Sequence, residues 1–148
     1  MDEIKRHLLD FIGTFSWEKL CREWLLKASA LKKLPFEVDQ VGSAWTRAAQ
    51  NDVVGINRME KTLYLGECKW GTHTYNRDIM VDLVEKTAEI IPSDGHWKVY
   101  YLGFARSGWT DAACQFVREK KGLQGANWII EGALLLTLDQ VDQDLKKW

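Results

Sequence analysis

Two carboxylates and an amine stand at the ends of apolar runs. Asn51-Asp52-Val53-Val54-Gly55-Ile56 is followed, after a polar turn, by Leu63-Tyr64-Leu65-Gly66-Glu67-Cys68-Lys69-Trp70. Alternate residues of a β-strand share a face, so Leu63, Leu65, Glu67 and Lys69 line up, and an apolar row ends in an acid and a base. A charge in a buried strand is costly without a partner or a metal. Glu67 and Lys69 partly compensate each other. A hairpin register can bring Asp52 beside Glu67, and converging carboxylates repel unless something positive sits between them. A hard divalent cation, Mg²⁺ or Mn²⁺, meets that demand: it takes carboxylate oxygens, keeps several waters and completes its shell with a phosphate. Such a set suits phosphodiester hydrolysis. Asp52 and Glu67 would hold the metal, while Lys69 would orient or help deprotonate the attacking water and offset charge on the transition state.

The elements that must position these residues are legible as periodicities. Trp17, Leu20, Cys21, Trp24, Leu25, Ala28 and Leu31 recur at three- and four-residue steps, predicting an amphipathic helix closed by Lys32, Lys33 and Pro35. Ile4, Leu8, Phe11, Ile12 and Phe15 predict an earlier helical turn or two, interrupted at Gly13. Three short strands, Phe36–Trp45, Asp52–Asn57 and Thr62–Trp70, with turns at Thr46–Asn51 and Arg58–Lys61, predict an antiparallel meander. A helix over Asp78–Ile91, a buried strand over Trp97–Phe104 and a helix from the N-cap Thr110 to about Lys121 follow. Ala133–Leu138 predicts a last strand, and Asp139 a cap for a terminal helix through Lys147. The order is α-β-β-β-α-β-α-β-α, an α/β domain with a mixed central sheet between helices.

Asp52 and the Glu67-Cys68-Lys69 run resemble the PD-(D/E)XK, or restriction-endonuclease-like, superfamily, in which an acid opens the second strand and an acid-x-Lys motif lies on the third. The resemblance is closest to the nuclease-like domain found C-terminal to P-loop ATPase modules of archaea and bacteria, and more distant to archaeal Holliday-junction resolvases. Gly66-Glu67-Cys68-Lys69-Trp70 is similar to that family's third-strand motif, Ser107-Gly108-Trp109-Thr110 to the segment opening its third helix, and Leu134-Leu135-Leu136 with Asp139 to its final strand and helix start. It covers roughly Gly13 to Asp144. It implies an α-β-β-β-α-β core with an added C-terminal strand and helix, a metal-dependent DNA endonuclease activity, and association with an ATPase. It also implies a Glu on the first helix, matched by Glu18 in Trp17-Glu18-Lys19-Leu20-Cys21. At roughly 100° per residue, Glu18 falls at the margin of the Trp17/Cys21/Trp24/Ala28 stripe, whereas Glu23 points away. The chain departs from the family pattern where Asn51 precedes Asp52 without a Pro-Asp dipeptide, and in having no G-x-x-x-x-G-K-[ST].

The 148 residues, 46% hydrophobic and 28% charged, fit one globular domain over 1–148, with residues 1–12 as an N-terminal helical extension. Twenty Lys+Arg against 21 Asp+Glu leave a net charge of −1, which removes a general basic field for nucleic acid and favours recognition delegated to a partner. No stretch approaches the roughly 18 apolar residues of a membrane span, and the opening segment lacks the apolar core of a secretory signal. Cys21, Cys68 and Cys114 form no C-x-x-C pair, so neither a disulfide framework nor a cysteine zinc site is supported, and a reducing cytoplasm suits them. His7, His73 and His96 have no ligand spacing, and only His73 falls near the motif. Arg47 and Arg106 are candidate phosphate contacts, beside the helix-end charges Lys32, Lys33 and Arg118 to Lys121. The partners implied are DNA, a P-loop ATPase module and a second copy of the chain. Two rivals stand beside the nuclease: a catalytically inactive module of the same fold for DNA binding, oligomerisation or ATPase regulation, and a protein–protein module whose acids pair with local cations.

Overall fold

The computed structural model describes the backbone of residues 3–44 and 50–148, and the side chains of residues 13, 16–42 and 53–148. Its elements are α1 (Glu3–Ala30), β1 (Gln40–Ala44), β2 (Gln50–Asn57), β3 (Thr62–Lys69), α2 (Asp78–Ile90), β4 (Trp97–Ala105), α3 (Asp111–Lys120), β5 (Trp128–Thr137) and α4 (Leu138–Lys147). The strands form one five-stranded sheet in the order β1-β2-β3-β4-β5. The first three pair antiparallel, as their short turns require. β3, β4 and β5 run parallel, joined through α2 and α3, because parallel neighbours need a long crossover connection. This is the mixed α/β architecture that the periodicities lead one to expect.

The sheet separates two cores. On one face Trp17, Cys21, Trp24, Leu25 and Ala28 of α1 pack on Val53, Tyr64, Cys68, Leu102 and Phe104. α4 lies beside α1 on that face, where Trp24 Nε1 donates to Asp144 Oδ2 at 2.9 Å. On the other face Met80, Leu83 and Ile90 of α2 meet Val54, Ile56, Leu63, Leu65, Val99 and Tyr101. The central strands are therefore apolar on both sides, and polar chemistry is confined to their ends.

Several boundaries differ from the periodic expectation, each for a local reason. α1 runs unbroken through Gly13, where the sequence predicts an interruption. Its C-terminus is closed by Lys32 in the left-handed region (φ 58°), with Lys33 N–H bonded to Ala28 O at 2.8 Å and Lys32 N–H to Ser29 O at 3.1 Å. This is a Schellman cap with lysine at the position usually held by glycine. Phe36 lies outside β1; its N–H and C=O are both held by the Tyr64 hydroxyl, at 3.2 and 2.9 Å. Trp45 and the greater part of the expected Thr46–Asn51 turn lie outside the described residues, while Gln50 and Asn51 belong to β2. β5 starts at Trp128 rather than Ala133, because an irregularity after Val99 lets Ile129 and Ile130 join the ladder ahead of Gly132. The cap of α4 is Thr137, in a reciprocal box with Gln140, and not Asp139.

One polar pair sits inside the second core. Thr87 Oγ1 donates to Leu83 O at 3.1 Å, so the 2.5 Å contact between Thr87 Oγ1 and the Tyr101 hydroxyl is donated by Tyr101. Burial pushes the Tyr101 hydroxyl from 10.0 up to about 12, and burial does the same to Tyr64. Above pH 10 the unfolded chain releases these protons first, so stability is full below that pH and falls as pH rises toward about 12. Each tyrosine contributes about 2–3 kcal/mol to the fall. Denaturant titrations across this range should show Tyr101→Phe costing about 1 kcal/mol at neutral pH and flattening the alkaline decline; an unchanged slope would contradict the assignment.

Candidate active site

The position of the acids follows from one register pair. Val53 of β2 lies opposite Gly66 of β3, so Asp52 and Glu67 are the residues adjoining that pair. A side chain at Gly66 would press on Val53 Cβ at 3.1 Å and on Leu102 O at 3.3 Å, so glycine lets three strands close tightly there. By alternation Glu67 and Lys69 fall in the class of Leu63 and Leu65, while the β1–β2 register shifts between Gly42 and Ala44, opposite residues 50–54, so alternation does not assign position 52 to a face. Glu67 and Lys69 thus share the face covered by α2, and position 52 adjoins them along the strand edge. Glu67 and Lys69 are half-buried; the Asp52 side chain lies outside the described residues.

Among the described residues no three His, Cys, Asp or Glu side chains form a group able to hold a metal. Positions 52 and 67 both carry carboxylates, the hard oxygen donors that Mg²⁺ and Mn²⁺ take. Cys68 belongs to the opposite face, buried in the α1 core, which keeps its thiol out of that set.

The three parallel strands all end on this rim, where ligands of open α/β sheets bind. The loops after β3 and β4 are tied to each other there. Tyr75 N–H donates to Gly108 O at 3.0 Å, Thr110 N–H to Tyr75 O at 2.9 Å, and Gly71 N–H to the Tyr75 hydroxyl at 3.0 Å. Gly108 adopts φ 100°, which a side chain would resist. Trp109 Nε1 adds a 3.3 Å bond to Leu136 O at the end of β5. His73 is exposed and rests on Tyr75, ring centroids 4.4 Å apart.

The α1 side of the same rim holds a second group that the sequence reading did not connect. Trp70 lies 6.0 Å from Trp17, ring to ring, and Arg106 Cζ stands 4.3 Å from the Trp70 ring centroid. Arg106 N–H also donates to Lys69 O at 2.9 Å, continuing the β3–β4 ladder past its last pair. Trp70 and Arg106 are the residues immediately after two neighbouring parallel strands. That parity is a faint signal, since it becomes readable only once the strands are known to be adjacent. Glu18 is half-buried on α1 and therefore stands on the helix covering this face, across the sheet from Glu67 and Lys69; Glu23 is exposed, as helical geometry requires. Arg47 lies outside the described residues.

Residues 1–85, more than half of the chain, match a family described as archaeal and bacterial proteins of unknown function. An uncharacterized protein of Methanocaldococcus jannaschii is 29% identical over 105 residues, which is 69% of this chain and 23% of that relative. The chain thus corresponds to less than a quarter of the relative's length. No solved structure matches it. No helix among the described residues is long and apolar enough to cross a membrane.

Gly13 lies where any side chain would overlap the indole of Trp70. Helix propensity alone favours alanine over glycine by about 1 kcal/mol, whereas overpacking of this kind costs about 1–3 kcal/mol. Gly13→Ala should therefore lower the thermal midpoint and change Trp fluorescence. A raised midpoint with an unchanged spectrum would show that the glycine is not needed for the indole.

Proposed function

The chain belongs to the DUF234 family of archaeal and bacterial proteins, and we propose that it is a metal-dependent nuclease domain of the PD-(D/E)XK type, hydrolysing phosphodiester bonds of DNA at the rim of its sheet. The observation that carries the reading is the half-buried pair Glu67 and Lys69 on one row of β3, with position 52 adjoining the register pair Val53 and Gly66. The order of elements and the strand directions are further support, being those of the fold the motif resembles.

Asp52 and Glu67 would hold Mg²⁺ or Mn²⁺. When bound, the cation supplies Lewis-acid polarisation of the phosphoryl oxygens and a lower pKa for water. Lys69 orients the attacking water and offsets the negative charge that grows on the phosphoryl oxygens as the new P–O bond forms and the bond to the leaving oxygen breaks. The apolar rows behind these residues lower the local dielectric on that side and strengthen their electrostatics. Glu18 stands on α1, which covers the opposite face. Association with a P-loop ATPase is part of the proposal and rests on the resemblance alone. A catalytically inactive module of the same fold, for DNA binding, oligomerisation or regulation of an ATPase, is the second reading.

Single-stranded, duplex, flap and four-way-junction DNA incubated with Mg²⁺ or Mn²⁺ test the proposal. The wild type should cut at least one of these, and Lys69→Ala should lower the rate by about a hundredfold or more with an unchanged thermal midpoint. Wild-type protein inert on all four, or a Lys69→Ala variant as fast as wild type, would overturn it.

A further inference from the structure

With a net charge of −1 the chain has no overall field to hold a polyanion, so phosphate contacts must come from individually placed cations. One cation is placed with unusual care. Arg106 Cζ stands over the Trp70 ring, 4.3 Å from its centroid, and Trp70 is seated on the glycine surface of α1 at position 13 and against Trp17. The backbone of Arg106 is fixed as well, by its N–H bond to Lys69 O. Stacking occupies the face of a guanidinium and leaves its N–H donors at the rim, in a geometry matched to phosphate oxygens. Immobilising the arginine before binding removes ordering entropy that a free surface side chain would lose on contact.

We propose that Arg106, held on the Trp70 shelf, is a preorganised anchor for a backbone phosphate of nucleic acid. It belongs to the α1 side of the strand ends, whereas Glu67 and Lys69 belong to the α2 side. A strand crossing the rim over β3 and β4 therefore meets Arg106 with one phosphate and Lys69 with another. Arg106 is a positioning residue: it fixes where the chain lies and does not touch the bond that breaks. This assignment deepens the nuclease reading and rests on it for the identity of the substrate.

The test is the salt dependence of binding to short fluorescein-labelled DNA, duplex and single-stranded, read by anisotropy with Ca²⁺ in place of Mg²⁺. Arg106→Met keeps a stem to cover the indole and removes the charge. It should weaken binding about tenfold, equally for unrelated sequences, and reduce the slope of log affinity against log salt by about one. Arg106→Lys should restore most of the slope and less of the affinity, because it keeps the charge and loses the stacked fork. A purely structural role would lower the thermal midpoint and leave the slope alone. If wild type cleaves DNA while Arg106→Met keeps wild-type KM and slope, the anchor is wrong and the nuclease reading stands. If wild type binds through Arg106 and cuts nothing, the anchor stands and the nuclease reading falls. Wild type that binds no DNA overturns the anchor.

Discussion

The pairing of Val53 with Gly66 is the constraint on which the site depends. A register slip of one residue between β2 and β3 would carry Leu63 and Leu65 out of the α2 core and Tyr64 out of the α1 core. Both faces of these strands are buried, so such a slip would expose apolar surface on each side at roughly 25 cal/mol per Å². The glycine at position 66 sharpens this further, since only there do the Val53 side chain and the Leu102 carbonyl approach within 3.1 and 3.3 Å of where a Cβ would stand. Core packing thus sets the register, and the register sets which charged residues adjoin each other where the apolar rows end.

The same logic explains why the chemistry sits at one rim. β3 and β4 are covered on both sides, so charge is tolerated at their ends, where water reaches half-buried Glu67, Lys69 and Arg106. The loops following β3 and β4 are bonded to each other through Tyr75, Gly108 and Thr110, which gives the rim a fixed backbone. Two groups of opposite character result on its two sides: an acid–base row facing α2, and an aromatic shelf carrying a cation facing α1.

Much of this was legible in the sequence. The three- and four-residue stepping of Trp17, Cys21, Trp24 and Ala28 located the buried stripe of α1, and period-two alternation put Glu67 and Lys69 on the row of Leu63 and Leu65. What escaped was long-range. Gly13 read as a helix break because local propensity carries no information about an indole arriving from residue 70. Gly132 obscured the first half of β5, whose pairing with Lys98 and Val99 is a tertiary matter. Trp70 and Arg106, 36 positions apart, meet only because β3 and β4 are parallel neighbours, which no pattern within either strand declares.

The account stands on positions 52 and 67 sharing one cation. Calorimetric titration with Mn²⁺ measures this without any need for substrate. Wild type should bind a metal in a site that Asp52→Asn and Glu67→Gln each weaken severely and that Arg106→Met leaves intact. Absence of binding in wild type, or affinity unchanged in Asp52→Asn, would contradict it.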